Sequence, residues 1–314
     1  MNTIEIHFAP LQGYTEAPYR RIHQEVCGGV SSYYTPFIRI EHGQIRKKDL
    51  REALPEQNQG VHVVPQIIAS DASEFLQLAQ KLMSVGHQEM DVNMGCPFPL
   101  QTRLGRGSGL LPHADKVREI LEAMTRLHDE HQIVFSIKMR LGQESADEAM
   151  ALLPYLNQTP LHHLTLHPRI GRDQYKGEPD MEAFSRFAGQ CQVPMVYNGM
   201  LTTVEEIHNV VERFPQLQGV MIGRGMLARP TLAQEYLSGQ TFSPEQVKAK
   251  LLEMHRLLLE HYESAIEGGE SQLVMKMHSF WEYLEPTFGH KAIKKILKSG
   301  NMRNYHEATS SVLA

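Results

Sequence analysis

The chain has 314 residues, 31 Lys and Arg against 36 Asp and Glu for a formal net charge of -5, with 41% hydrophobic and 21% charged residues. These are the proportions of a soluble globular protein with a sizeable core, long enough for one (β/α)8 barrel plus a small extra domain. The acid excess excludes an all-over polyanion-binding surface but not a local basic patch, and with no run of about 18 apolar residues no membrane partner is expected.

In chain order, short apolar runs rich in β-formers fall at Ile4–Ala9, Ser31–Ile38, Val61–Ala69, Gln88–Asn93, Ile133–Arg140, His162–His167, Pro194–Asn198 and Gly219–Gly223. Helical patterns lie between them at Asp71–Val85, Ala114–His131, Ala146–Leu156, Met181–Cys191 and Thr203–Phe214. Asp71 and Thr203 stand at N-cap positions with Glu74 and Glu206 three residues on, the spacing of a capping box. Strand then helix, repeated eight times, predicts an α/β chain with a (β/α)8 TIM barrel over residues 1–240. The polar segment Arg39–Gly60 interrupts the pattern and is expected to be a long functional loop or a degenerate helix. After it the alternation runs on to about Ser243, where one long helix to Glu267 is expected, with Pro244 in its first turn and Gly268-Gly269 ending it. No strand pattern follows, so residues 243–314 are expected to form a small all-helical domain.

Active-site groups of such barrels lie at the C-terminal ends of the strands. Here polar residues close nearly every one: Gln12, Gln66, Asn93, Lys138 and Arg140, His167 and Arg169, Asn198, and Arg224. Cys96 falls just past the fourth strand in a Gly-Cys-Pro turn, whereas Cys27 and Cys191 end outer helical patterns and are expected to be inert. The odd cysteine count, without metal-type spacing, points to free thiols, a reducing cytoplasm and no bound metal. The opening stretch MNTIEIHFAP carries acid and His where a secretion signal needs a basic start and an apolar run, which agrees with a cytoplasmic location.

Six ordered motifs carry a family likeness. Met90-Asp-Val-Asn-Met-Gly-Cys-Pro97 resembles the signature of the dihydrouridine synthases, which reduce uridine in tRNA using FMN. Ala9-Pro-Leu-Gln-Gly13, Ser136-Ile-Lys-Met-Arg140 and His167-Pro-Arg169 with Gln174-Tyr-Lys-Gly177 resemble further motifs of that family. So do Asn198-Gly199 with Ile222-Gly-Arg-Gly225, and Lys276-Met-His-Ser-Phe-Trp281. Pro36 and Pro99 stand where that family places a Glu and a Lys, and Tyr197 and Met200 flank Asn198-Gly199 where other residues are usual.

The resemblance implies FMN as cofactor, NADPH as reductant, and tRNA or another structured RNA as substrate of a monomer. Reducing the C5–C6 bond of uracil takes a hydride at C6 and a proton at C5. Cys96 is expected to give that proton, since a thiol with a reference pKa of roughly 8.5 stays protonated at neutral pH. The cofactor set is expected to be Pro10, Gln66, Asn93, Lys138, His167, Asn198, Gly199, Gly223 and Arg224. Within it Lys138 is the cation near the ring's N1–C2 region, and Gln66 supplies a donor and an acceptor to the N3–O4 edge. The loops after strands 7 and 8 hold the phosphate, and His167 reaches the ribityl chain or substrate. For RNA, Lys291, Lys294, Lys295 and Lys298 recur at helical spacing as one basic stripe. Arg103, Arg106, Arg140, Arg169 and Tyr175 are expected to meet phosphates or the extruded base. Two other readings fit parts of the pattern. One is a flavin barrel reducing a free pyrimidine or enone, which has no need of the basic stripe. The other is a degenerate RNA-binding barrel without catalysis.

Overall fold

The computed structural model describes residues 4–313; residues 1–3 and 314, at the outer limits of the two expected domains, lie outside the described residues. Eight strands form where the sequence places them: β1 (Glu5–Phe8), β2 (Ser32–Tyr34), β3 in two pieces (Val63–Val64 and Gln66–Ile67), β4 (Glu89–Met94), β5 (Val134–Gly142), β6 (Leu161–Ile170), β7 (Met195–Tyr197) and β8 (Gly219–Ile222). All pair in parallel, and β1 lies between β2 and β8. β3 breaks at Pro65, which has no N–H to give a ladder. Its first piece pairs with β2 and its second with β4. A lone bridge from Ile38 to Ile67 spans the gap and completes the barrel.

Successive side chains of a strand point to opposite faces, and here the two faces differ in character. Ile6, Phe8, Val92, Ile137, Leu164 and Leu166 face outward into the main core with the surrounding helices. A separate small cluster of Ala9, Tyr34, Val64, Val196 and Met221 lies within the barrel. The rest of the interior is polar and buried: His7, Gln66, Asp91, Asn93, Ser136, His163, Thr165 and His167. Branched aliphatic side chains usually fill this space; here hydrogen bonds do.

The helix starts follow from capping. Asp71 accepts from the Glu74 N–H, and Thr203 with Glu206 and Ser243 with Gln246 form reciprocal capping boxes. The segment after β2 is a folded insertion. It holds a hairpin (Ile40–Glu41 with Gln44–Ile45), a short helix (Lys47–Arg51) and a single 3-10 turn (Pro55–Gln57). The buried Arg20 pins it to the first helix, Ala17–Val26, donating to Thr15 O at 2.6 Å, Glu52 O at 2.7 Å and Asn58 Oδ1 at 2.7 Å.

Past β8 the chain is helical, beginning with short helices at Arg224–Ala228 and Leu232–Ser238. The long helix runs Pro244–Ala265, and Glu270–Trp281, His290–Leu297 and Met302–Leu313 fold against it. Trp281 is fully buried at their centre and donates to the Tyr305 hydroxyl at 2.8 Å, which also meets His255 Nε2 at 2.7 Å. No helix among the described residues is long and apolar enough to cross a membrane.

Buried histidines make the stability pH-dependent. Burial lowers His23 and His255 to about 4 and His163 to about 3, so these rings are neutral in the fold but protonate near 6.5 once unfolded. Their contribution is complete above pH 6.5 and declines as pH falls. Linkage gives about 1 kcal/mol lost per ring between pH 6.5 and 5.5. A melting temperature that falls over this interval is expected, and it should fall less in His163→Gln; a flat profile would contradict the assignment.

Candidate active site

β4 carries Asp91 and Asn93 into the barrel interior and then leaves the sheet at Gly95-Cys96-Pro97. Asn93 shapes the turn. Its Oδ1 accepts from the backbone N–H groups of Gly95 at 3.0 Å and Cys96 at 2.8 Å, and its Nδ2 donates to Gln66 Oε1 at 2.7 Å. On the other side Ser108 donates to the Cys96 carbonyl through both its N–H and its Oγ, each at 3.0 Å. Arg140 Nε donates to the Gly95 carbonyl at 3.0 Å. Gly107, at a φ of +61°, lies so close that a Cβ there would stand 2.9 Å from the Cys96 Cβ. The thiol is thus fixed in a turn with little freedom. Burial pushes its pKa up, and the Phe98 backbone with the Arg140 and Lys138 charges only partly offsets that. It stays protonated at neutral pH.

Lys138 stands opposite Asn93 in the β4–β5 register. It is half-buried and makes no hydrogen bond or ion pair with another described residue. Burial and the neighbouring Arg140 lower it to about 8, with Asp91 and Cys96 pulling the other way, so it remains mainly cationic at pH 7. Across the β5–β6 register Arg140 faces His167. Burial among Arg140, Lys138 and Arg169 holds His167 well below the usual imidazole range. Arg169 Nη1 donates to its Nε2 at 3.2 Å, which leaves the ring proton on Nδ1.

Asn198 follows β7 with its Nδ2 on the Met221 carbonyl at 2.7 Å. The loops after β7 and β8 are pressed together at Gly225, where a Cβ would fall on the Leu201 carbonyl oxygen. The backbone N–H groups of Gly223, Arg224 and Gly225 are donated to no other described residue. The Arg224 guanidinium is exposed and lies over the Tyr175 ring at 4.7 Å, while Arg140 approaches the same ring at 5.4 Å. Tyr175, on the loop after β6, therefore reaches across the mouth from the end of β5 to the loop after β8. It is about half exposed, at 52%.

The expected cofactor residues lie at the strand ends or in the loops that follow them, and the expected RNA residues are spread more widely, with corrections among the arginines. Arg106 does not face outward for phosphate. It is buried, paired with Glu74 through Nη2 and through Nε at 3.0 Å, and donates to Ile40 O at 3.0 Å, so it ties the Cys96 loop to the helix after β3 and to the hairpin after β2. Arg140 and Arg169 are each 2% exposed, with their N–H groups on the Gly95, Ile170 and Gly177 carbonyls. They shape the site and are not surface cations. Gln66 is fully buried between Asp91 and Asn93, so its amide serves the interior before any ligand. Arg103 is exposed, beside the exposed apolar side chains Phe98, Leu100 and Leu104. Gln12 and Pro10 sit in the loop after β1, and Gly199 in the loop after β7. Lys291, Lys294, Lys295 and Lys298 are all exposed along and just past His290–Leu297, over buried Ile293 and Ile296. Sequence reasoning missed Tyr14, Glu282 and Tyr283. The Tyr14 hydroxyl donates to Glu282 at 2.7 Å and its ring meets Tyr283 edge-on at 5.3 Å, joining the first barrel loop to the helical segment.

A flavin fits these residues. An unpaired amine, the buried and unpartnered Thr165 Oγ1 and Arg169 Nε, and three free backbone N–H groups at the β7–β8 loops are the donors that a polar ring and its phosphate require. Among the described residues no group of three or more His, Cys, Asp or Glu could hold a metal ion.

The sequence profile of the family described as Dihydrouridine synthase (Dus) matches residues 7–311. The chain is similar to tRNA-dihydrouridine synthase B of Pasteurella multocida, 28% identical over 72% of this chain and 67% of that one. It is similar also to the protein of that name from Vibrio vulnificus, 27% identical over 92% and 85%. Among solved structures it shares its fold with morphinone reductase, at a TM-score of 0.55 and 11% identity over 77% of this chain and 88% of that one. The old yellow enzyme from Trypanosoma cruzi matches at a TM-score of 0.52 and 10% identity over 77% and 91%.

Proposed function

The chain belongs to the dihydrouridine synthase family, and from that premise we propose that it reduces uridine in tRNA to 5,6-dihydrouridine, with FMN as cofactor, NADPH as reductant and Cys96 as the acid. The observation that carries the reading is the rigidly held, protonated Cys96 thiol beside the unpartnered Lys138 amine at the barrel mouth.

Bound FMN would supply the hydride to C6 of the uracil. The chain's own groups do the rest. Cys96 Sγ–H gives its proton to C5 from the opposite face and becomes a thiolate. The Arg140 and Lys138 charges and the Phe98 backbone, which already favour the charged sulfur, stabilise that product. Lys138 would also be the cation for the reduced ring, with Asn93 and His167 the nearest strand-end groups to it and Pro10 in the loop after β1, while Gln66, committed to Asp91 and Asn93, would act from behind them. Asn198, Gly199, Gly223 and Arg224 receive the phosphate. Tyr175 offers a face on which an extruded base can stack, and extrusion itself costs about a few kcal/mol. Residues 1–240 act as the catalytic domain and 243–314 as the RNA-binding domain, with Arg103 and the lysine stripe on phosphates. The protein would act as a monomer, and its three free cysteines suit a reducing cytoplasm.

The test is to incubate the purified yellow protein with an unmodified tRNA transcript and NADPH and map the gain of two hydrogens by mass spectrometry. A flavin-loaded protein that leaves every uridine unchanged would overturn the reading. Replacing Lys291, Lys294, Lys295 and Lys298 together by Ala is expected to weaken tRNA binding about tenfold or more and to flatten its salt dependence, by roughly 0.7–0.9 in log–log slope for each phosphate that is no longer neutralised. The flavin spectrum should not change. Undiminished affinity would show the stripe to be a solvated face.

A further inference from the structure

Asp91 touches neither the proposed acid nor the mouth, yet it is a fully buried carboxyl inside the barrel. Its Oδ1 accepts from Ser136 Oγ at 2.7 Å and its Oδ2 from Gln66 Nε2 at 2.7 Å. Gln66 Oε1 in turn accepts from Asn93 Nδ2 at 2.7 Å, and Asn93 Oδ1 accepts from the N–H groups of Gly95 and Cys96. The three links between Asp91 and the Cys96 N–H run through side chains that are each less than a tenth exposed.

The direction of this chain is not arbitrary. Gln and Asn amides read equally well in two orientations, and only their partners decide between them. A carboxylate can only accept, so Gln66 must turn its NH2 towards Asp91. Its oxygen then faces Asn93, which must present its NH2 to Gln66 and its oxygen to the turn. We propose that Asp91 is a positioning residue: its acceptor-only carboxylate orients Gln66 and Asn93 in sequence and thereby fixes the turn that holds the Cys96 thiol. The role rests on the proposed reaction for its purpose, but its geometry does not. Burial raises Asp91 to about 6, with Ser136, Gln66 and Lys138 acting against that, so the carboxylate form prevails at neutral pH.

The proposal makes a directional prediction that packing alone does not. In Asp91→Asn the new amide can offer its own NH2 to Gln66, which lets Gln66 and then Asn93 reverse, and the Cys96 N–H loses its acceptor. Adding Gln66→Glu to that variant moves the acceptor-only group one link along, so that it receives NH2 groups from both neighbours and Asn93 again points its oxygen at the turn. Ser136→Ala keeps the carboxylate and its bond to Gln66.

The readout is iodoacetamide alkylation resolved by peptide, taking the rate at Cys96 relative to Cys191 in the same molecules, together with turnover on tRNA. Asp91→Asn is expected to shift the Cys96/Cys191 ratio by up to about tenfold, the worth of one hydrogen bond. It should lower kcat with little change in KM for tRNA. Asp91→Asn with Gln66→Glu should return the ratio to within about twofold of the parent, and Ser136→Ala should leave it there. An unchanged ratio in folded Asp91→Asn overturns the proposal. So does failure of the double variant to restore a shifted ratio, or an equal shift in Ser136→Ala. If Asp91→Asn does not fold, Gln66→Met cuts the relay at its next link and must shift the ratio likewise; no shift overturns the proposal. A wild-type protein that makes no dihydrouridine would refute the proposed function, while the alkylation pattern still decides the relay.

Discussion

Replacing Cys96 by Ala is expected to abolish measurable dihydrouridine formation while leaving the protein yellow. General acid groups are worth about 10²–10⁴-fold; Lys138 is assigned to the reduced ring, and His167, Asp91 and Tyr175 are not placed to substitute. His167 is held neutral with its Nε2 occupied by Arg169, Asp91 lies below the mouth, and Tyr175 carries its ring between two guanidinium groups. Apart from Asn93, the polar groups that fit a flavin lie on other strands and loops, so binding should survive. Cys96→Ser separates geometry from acidity. It keeps the turn, since the turn is made by the backbone of Cys96 and not by its sulfur. It offers a far weaker acid, so its rate should stay close to that of Cys96→Ala. Product counted by mass spectrometry beside the flavin absorbance checks both variants. Parent-level product from Cys96→Ala would remove the thiol from the reaction.

Gly225→Ala is expected to yield a colourless, less stable protein. The added Cβ would occupy the position of the Leu201 carbonyl oxygen. Backbone cannot swing aside as a flexible side chain can, so the loops after β7 and β8 must part. Overpacking of this kind costs about 1–3 kcal/mol. The larger consequence is local, because the free N–H groups of Gly223, Arg224 and Gly225 would no longer converge on one anion. Fluorescence titration with FMN should show weakened binding, and a thermal melt should show the lower stability. A yellow variant with parental FMN affinity would show that the phosphate does not sit between these loops.

Much of the fold was legible because periodicity and capping are local properties. Thr203-Val-Glu-Glu206 announces its helix start in four residues, and the structure builds the full capping box there. Each of the eight strands overlaps an expected apolar run, though β4, β5 and β6 extend past theirs. Pro65 splits the third, a break whose cause is itself in the sequence. The strand-end ring was legible for the same reason, since parallel barrels put their chemistry at one end.

What escaped was the fate of individual charges. An arginine after a glycine reads as a free cation, yet Arg106 commits its guanidinium to Glu74 and a carbonyl, and Arg140 and Arg169 hold the carbonyls of other loops. Sequence shows that a guanidinium is present but not which distant backbone oxygens need it. Asp91 carried a signal: it lies two residues from Asn93 on one strand, hence on the same inward face. Tyr14 and Tyr283 carried none, because they meet across about 270 residues of chain.

The polar barrel interior constrains how such a sequence can change over time. An aliphatic interior tolerates one side chain growing while its neighbour shrinks, by small independent steps. Inside this barrel Ser136, Asp91, Gln66 and Asn93 pair particular donors with particular acceptors, so altering one member strands the other. Drift along this axis is therefore expected to proceed by compensated pairs, Asp91 with Gln66 or Gln66 with Asn93, while outward-facing positions such as Ile137 and Leu164 exchange freely among hydrophobic residues.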